Sequence, residues 1–577
     1  MTAATPVATR TADRFNFMPV AANGLDTVTV PTGYSWHVVA KWGDPLWSNG
    51  VPFDHETRGT RESQERAVGD NNDGMALFTH GEKNILAVNN EYVNREIFFG
   101  NRVSNRPEGA DDVRKSKAAV GVSIFEIGFQ GGEWSIVMDS ALNRRITADT
   151  PMELTGPARG HDLVRTEEDP EGTSVKGTWA NCGIGRTPWE TYLTCEENFD
   201  GYFTSNDRGF EPSPELKRYS VGLKDWGNDW ATTDERFDFS KHPNEPNRVG
   251  YVVEIDPLDP TSTPKKRTAL GRFKHENAEL VVTDTGRIVV YMGDDERDEF
   301  LYKFVSDGRY IEGGNNESLL EKGTLFAAKF EGNLRGRWLA LTPATTGMSS
   351  QAEICIHTRQ AASVVGATTM DRPEWVAAHP KKAEIYCALT NNKHRGKKSN
   401  KGDNATPIGG PNPRESNKYG QIVRWTPDGG DHESTGFSWS LFVMAGNPTV
   451  HSDADAGSKN INTGNMFNSP DGIAFDTNGL LWIQTDGDYT DKGDFAGMGN
   501  NQMLVGNPET GEIRRFLVGP KGCEVTGLTW AADRRTLFVG IQHPGEKGSK
   551  SNFPDGGDAV PRSSIVAITK DDGGFIG

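Results

Sequence analysis

The chain has 577 residues, 35% of them hydrophobic, with 66 Gly and 31 Pro, a composition for many short strands and turns rather than long helices. Its formal net charge of −18 argues against nucleic acid or an anionic membrane as partner and suits a site with many oxygen ligands for hard cations. Five scattered cysteines exclude a disulfide framework and a CxxC zinc site, and no apolar stretch approaches the length that spans a bilayer.

In chain order, the opening "MTAATPVATRTADRFNF" carries no apolar signal core, which predicts either a cytosolic chain or a mature form whose leader has gone. The first strand pair follows in "NNDGMALFTHGEKNILAVNNEYV", where Asp73-Gly74 precedes one strand and Asn89, Asn90 and Glu91 end the next. The second, "ANCGIGRTPWETYLTCEEN", has Asn181 and Cys182 before its turn and Glu196 and Glu197 after its second strand. The third runs from Glu276 in "HENAELVVTDTGRIVVYMGDDE" to Asp294 and Asp295, and the fourth from Arg372 and Glu374 in "RPEWVAAHPKKAEIYCALTNN" to Asn391 and Asn392. The fifth, "SPDGIAFDTNGLLWIQTDGD", repeats the Asp-Gly of the first at Asp471-Gly472 and ends near Asp488. The sixth, "CEVTGLTWAADRRTLFVGIQHPGE", runs from Glu524 to Gln542, His543 and Glu546.

Further strands follow several of these pairs, such as "EFLYKFVS" with "GTLFAAKF" and "GQIVRWTPDG" with "SWSLFVMAG". A four-stranded unit repeated six times predicts an all-β, six-bladed β-propeller. The expected organisation is one domain over 1–577, with 1–70 packing on the propeller and long insertions near 95–118, 200–248 and 393–420. In an antiparallel hairpin the start of the first strand lies beside the end of the second. With the first strand of each blade lining the channel, the acid-rich hairpin ends gather at one mouth. Carboxylates held that close repel unless protonated or bridged by cations, which points to a metal cluster. A lone Asp before a strand commonly caps a turn, and that is the competing reading for Asp73 and Asp488. Glu276, Glu374 and Glu524 recur within a residue or two of one another in the repeat, which favours metal ligation or direct contact with the site.

From "FNFMPVAANGLDTVTVPTGYSWHVVAKWGDPL" to "VGIQHPGE" the chain resembles the PhoX family of secreted alkaline phosphatases. The most specific pieces are "NCGIGRTPWETYLTCEEN", "GRFKHENAEL", "YMGDDERDEFLYKF", "MDRPEW", "NPRESNKYGQIVRW" and "GCEVTGLTW". The resemblance implies hydrolysis of phosphate monoesters at two ferric and three calcium ions with a bridging oxo group, a metal-bound oxo or hydroxide serving as nucleophile. It also implies export of the folded protein by the twin-arginine route to the periplasm or medium.

Carried over residue by residue, Cys182 becomes the thiolate ligand to iron, since a soft sulfur among hard carboxylates suits a transition metal. Glu276 and Glu196 become iron or bridging ligands. Glu91, Asp294, Glu374 and Glu524 become calcium or bridging ligands, with Asp471 and Asp73 as outer ones. Glu196 is not separable from Glu197 at this stage, nor Asp294 from Asp295. Arg372 is the phosphate-binding guanidinium and Asn181 a neutral donor to the phosphoryl oxygens. The family pattern "NHEY" stands here as Asn89-Asn90-Glu91-Tyr92, and strand alternation turns Asn90 away from Glu91, so a small effect is expected. Cys195, Cys355 and Cys387 read as small packed hydrophobes. The basic island "NKHRGKKSNKG" reads as a solvated loop, or as an attractor of anionic substrates. Small phosphate esters are the expected partners of a monomer, with no nucleic acid and no membrane insertion. The rival readings are a calcium-dependent propeller lactonase or gluconolactonase, and a propeller used only as a binding scaffold.

Overall fold

The computed structural model describes residues 14–577, so most of the opening segment lies outside the described residues. Six blades, built mainly of antiparallel strands, stand around a common axis. Their inner strands are Asn72–His80, Asn181–Arg186, Glu279–Val282, Pro373–Ala378, Pro470–Phe475 and Glu524–Trp530, one from each predicted hairpin. Each inner strand packs on the inner strands of its two neighbours, and the last packs on the first, which closes the ring. The predicted outer strands form as well: "EFLYKFVS" lies in Leu301–Arg309 and "GTLFAAKF" is Gly323–Phe330.

Three details depart from six identical blades. The second blade is widened by Thr150–Thr155 and Ser174–Gly177, the former pairing in parallel with Lys265–Arg267. The third and fourth blades join at their outer edges, where Arg335–Ala340 pairs with Gly436–Met444, giving a nine-stranded sheet. The sixth blade takes its outer strand, Tyr34–Lys41, from the opposite end of the chain, antiparallel to Ser564–Lys570.

The stability of the ring comes from the gaps between blades. Six apolar clusters fill them, for instance Leu193, Val252, Ile288 and Tyr302 between the second and third blades. Trp375, Tyr386, Ile473 and Leu504 do the same between the fourth and fifth. Both faces of each blade are therefore dry, so the strands read as near-continuous Val, Ile, Leu and Phe. Cys195 and Cys387 lie in two of these clusters and Cys355 is buried in a short helix, all as packing residues.

The long insertions leave from the second-strand ends, and so stand at one end of the ring. Segments 95–118 and 200–248 pack on each other around an aromatic core that includes Phe98, Trp179, Tyr202, Trp230 and Phe237. They build a wall over the first two blades. The 393–420 segment rises over the fourth blade in irregular structure.

Candidate active site

Register decides which side chains reach the channel mouth. The mouth-most pairs are Asn72 with Asn90, Asn181 with Glu196, His275 with Asp294, Pro373 with Leu389, Pro470 with Thr485 and Glu524 with Gln542. In blades one, two, four and five a β-bulge follows at once: Asp73-Gly74, Cys182-Gly183, Glu374-Trp375 and Asp471-Gly472 each oppose a single residue. A bulge re-aims a side chain. In each case the first bulged residue is an acid or the cysteine, and it turns toward the axis. The second strands contribute the residue one past the pair, by the alternation of an extended chain: Glu91, Glu197, Asp295, Asp486 and His543.

The result is one buried cluster. The Cys182 thiol donates to Glu276 Oε2 at 3.0 Å and lies 3.4 Å from Asp73 Oδ2. Gln542 Nε2 bridges Asp73 and Glu91, at 3.0 Å from each, and Thr526 holds the other oxygen of Asp73 at 2.7 Å. Three groups place ligand atoms within 4.8 Å of one another: Glu276 with Glu374 and Asp471, Glu276 with Glu197 and Asp295, and Asp486 with Glu524 and His543. Glu197 Oε1 and Glu374 Oε1 are buried and accept no hydrogen bond.

Arg372 caps this cluster. Its backbone is left-handed, at φ 55°, a conformation that costs a non-glycine residue energy and persists where the surrounding structure holds it. The guanidinium grips Asp295 through Nε and Nη2, both at 2.7 Å, and Nη2 lies 3.3 Å from Glu374. About a fifth of the side chain is exposed to a cavity of 670 Å³ at the mouth. A second cavity of 410 Å³, which shares Asp486 and Lys547 with the first, reaches Glu91, Glu524 and His543 and is lined by Tyr202 and Trp226 of the insertion wall.

The electrostatics of this ring favour protonation or bound cations. Burial, then the neighbouring carboxylates, push Glu91, Glu197, Glu276, Glu374, Asp471 and Glu524 well above the usual carboxylate range. Asp73 rises to about 6, mainly by burial. Asp295 alone is lowered: the desolvation that would raise it is outweighed by the Arg372 guanidinium. Burial, with Asp73 and Glu276 next to it, pushes the Cys182 thiol up. The donor set is hard oxygen plus one sulfur and one imidazole, with bare carboxylate oxygens among them. It fits a group of several cations, including one that accepts a thiolate.

Of the expected site residues, the structure brings together Cys182, Glu276, Glu374, Glu524, Glu91, Asp471 and Arg372, with Asp73. Three stand elsewhere. Glu196 is the paired residue and points into the second blade, where Lys266 Nζ (2.6 Å), Thr178 and the amides of Gly250 and Tyr251 engage both its oxygens. Its neighbour Glu197 takes the mouth position. Asp294, also a paired residue, is held by Arg359 through two hydrogen bonds of 2.8 and 2.6 Å, while Asp295 faces the ring. Asn181 spends both amide protons on Thr178 and Thr194, at 2.8 Å each, leaving none for a phosphoryl oxygen. Asn90 points away from Glu91, as alternation requires, and accepts from Ser123 and Arg145. Asp486 was missed because a residue past a strand end looks like any loop acid until the pairing register is known.

The chain matches the family model "Alkaline phosphatase PhoX" over residues 15–545. The chain belongs to the PhoX family. Among solved structures it is similar to that of Pseudomonas fluorescens PhoX in complex with vanadate, a transition state analogue. Identity is 51% and the TM-score 0.93, over 97% of this chain and 99% of that one. A gluconolactonase from Xanthomonas campestris matches at 12% identity and a TM-score of 0.28, over 74% and 87% of the two chains. The periplasmic gluconolactonase PpgL of Pseudomonas aeruginosa matches at 10% identity and 0.31, over 93% and 99%. Among curated proteins nothing matches. As a PhoX-type alkaline phosphatase the chain is a hydrolase of phosphate esters, and its mouth carries acidic groups that could hold metal ions. No helix among the described residues is long and apolar enough to cross a membrane.

Proposed function

We propose that this enzyme hydrolyses small phosphate monoesters, as a monomer, at a centre of two ferric and three calcium ions. Cys182 and Glu276 would hold iron, and Glu91, Glu197, Glu374, Asp471 and Glu524, with Asp73, Asp486 and His543, would complete the centre. The observation that supports the reading is the Cys182 thiol 3.0 Å from Glu276 inside a ring of buried carboxylates, an arrangement that suits a thiolate-accepting cation beside harder ones. When bound, such ions supply a nucleophile near neutral pH and neutralise charge developing on phosphorus and on the leaving oxygen.

The chain's own residues do the positioning. Arg372 commits Nε and Nη2 to Asp295, and its Nη1 makes no hydrogen bond among the described residues. That leaves one edge of a fixed guanidinium for a phosphoryl oxygen in the 670 Å³ cavity. Asp295 stays ionised beside it and keeps the fork from rotating. The insertion wall lines the smaller cavity through Tyr202 and Trp226.

Elemental analysis with paired assays on p-nitrophenyl phosphate and a lactone tests this. Iron and calcium together with phosphatase activity are expected. Calcium alone with lactone hydrolysis, or no metal and no turnover, would overturn it. The family resemblance also supports export by the twin-arginine route to the periplasm or medium, checked by cell fractionation of the full gene product.

A further inference from the structure

The cavity that Arg372 lines carries a charge opposite to that of the whole chain. Six cations face it, Arg297, Arg372, Lys393, Lys418, Lys492 and Lys547, against two acids, Asp486 and Asp488. Three of the cations are neutralised on site: Arg372 by Asp295 and Glu374, Lys418 by Asp494 at 2.5 Å, and Lys547 by Glu546 at 3.2 Å. Arg297, Lys393 and Lys492 have no ion pair among the described residues.

Arg297 is the most telling of these. The other half-buried or buried arginines of this region are all spoken for: Arg359 by Asp294, Arg395 by Asp371 and Asp298, Arg218 by Glu299. The Arg297 guanidinium has no hydrogen-bond partner among the described residues, and its Nε is buried. Its backbone is bridged to Asp371, the residue before Arg372, so the two guanidinium-bearing residues arise side by side at one cavity. A half-buried guanidinium whose Nε is buried without a partner, beside a site for a dianion, gains charge-assisted hydrogen bonds when an anionic ligand completes it.

We propose that Arg297, with Lys393 and Lys492, binds a second anionic group on the leaving-group side of the ester. The preferred substrates then carry a carboxylate or a further phosphate near the reacting phosphoryl group. This rests on the reading of Arg372 as the phosphate-binding residue. It gives the basic island of the sequence a specific function through Lys393, the residue that reaches the cavity.

The test compares phenyl phosphate with 4-(carboxymethyl)phenyl phosphate, whose phenols leave almost equally well. It uses the iron- and calcium-loaded enzyme, Arg297→Gln, and the triple variant with Lys393→Gln and Lys492→Gln. The ratio of kcat/KM should favour the anionic ester in the unaltered enzyme. It should fall roughly fivefold in Arg297→Gln and further in the triple variant, mainly through KM, as expected for partly exposed charge pairs. Added salt should shrink the preference. A ratio at or below one, or the same ratio in all three proteins, overturns the inference. Calorimetric binding of phenylphosphonate against its 4-carboxymethyl derivative decides the matter without turnover. Tighter binding of the carboxylate form, lost in the triple variant, supports the inference, and equal binding overturns it. If neither ester is hydrolysed, the phosphatase reading fails by itself.

Discussion

Glu196 and Glu197 adjoin in the chain, and the pleat sends them to opposite tasks. Glu196 and Lys266 form an ion pair with no solvent exposure on either side. Replacing Glu196 with Gln strands a buried ammonium, so Glu196→Gln should destabilise by about 3–5 kcal/mol in chemical denaturation. Its iron and calcium content per folded molecule should stay normal. Glu197→Gln should do the reverse, with metal content and activity lost and the metal-free fold at least as stable as before, since one of the crowded carboxyls is gone. Equal effects from the two substitutions would refute the assignment of ring and blade positions. Arg372→Ala belongs at the same scale. With its metals intact, it should cut phosphatase kcat/KM by about a hundredfold or more. The partner it strands, Asp295, should then lose its lowered pKa. Unchanged kinetics would remove Arg372 from the site.

At the scale of the element, the bulge organises the mouth. Asp-Gly, Cys-Gly and Asp-Gly occupy it in the first, second and fifth blades, and the glycine lets the backbone turn while a neighbour lies against it. A Cβ on Gly183 would stand 2.3 Å from Glu276 O and 2.7 Å from the Trp375 ring. Gly183→Ala should therefore cost about 1–3 kcal/mol and also lower iron content, because it displaces Cys182 and Glu276 together. A variant with normal stability but depleted iron would separate the two effects; full iron and stability would sink the argument. The recurrence of Asp73-Gly74 at Asp471-Gly472 was legible in the sequence, as were the six hairpins and the gathering of their tips. What the sequence withheld was register. Glu196 against Glu197, Asp294 against Asp295 and the donor count of Asn181 all turn on which residue is paired at the mouth. That depends on where a bulge absorbs one extra residue, and no local composition marks it in the fourth blade, where Trp375 stands in place of glycine.

For the whole molecule, the ring of acids makes stability depend on pH and on cations together. Six carboxyls sit well above their ordinary range in the folded protein and Asp73 rises to about 6. The native state thus binds more protons than the unfolded chain above the ordinary carboxylate pKa of about 4, so stability falls as pH rises through that window. Asp295, whose pKa is lowered, acts in the opposite sense, but only in acid. Chelator-treated protein should accordingly lose Tm between about pH 5 and pH 8, and calcium should restore it. A Tm that is flat or rises across that range in the metal-free protein would contradict the crowding of charge.

The strand Tyr34–Lys41 completes a sheet whose other members run from Glu524 to Lys570. The sixth blade, and with it the circle, therefore cannot be complete without both ends of the chain, since residues 34–41 pair with residues 564–570. Glu524 and His543 belong to that last blade. Any fragment that stops short of residue 524 thus lacks two members of the crown of ligands, so a truncation from that end should cost cation binding as well as the last blade.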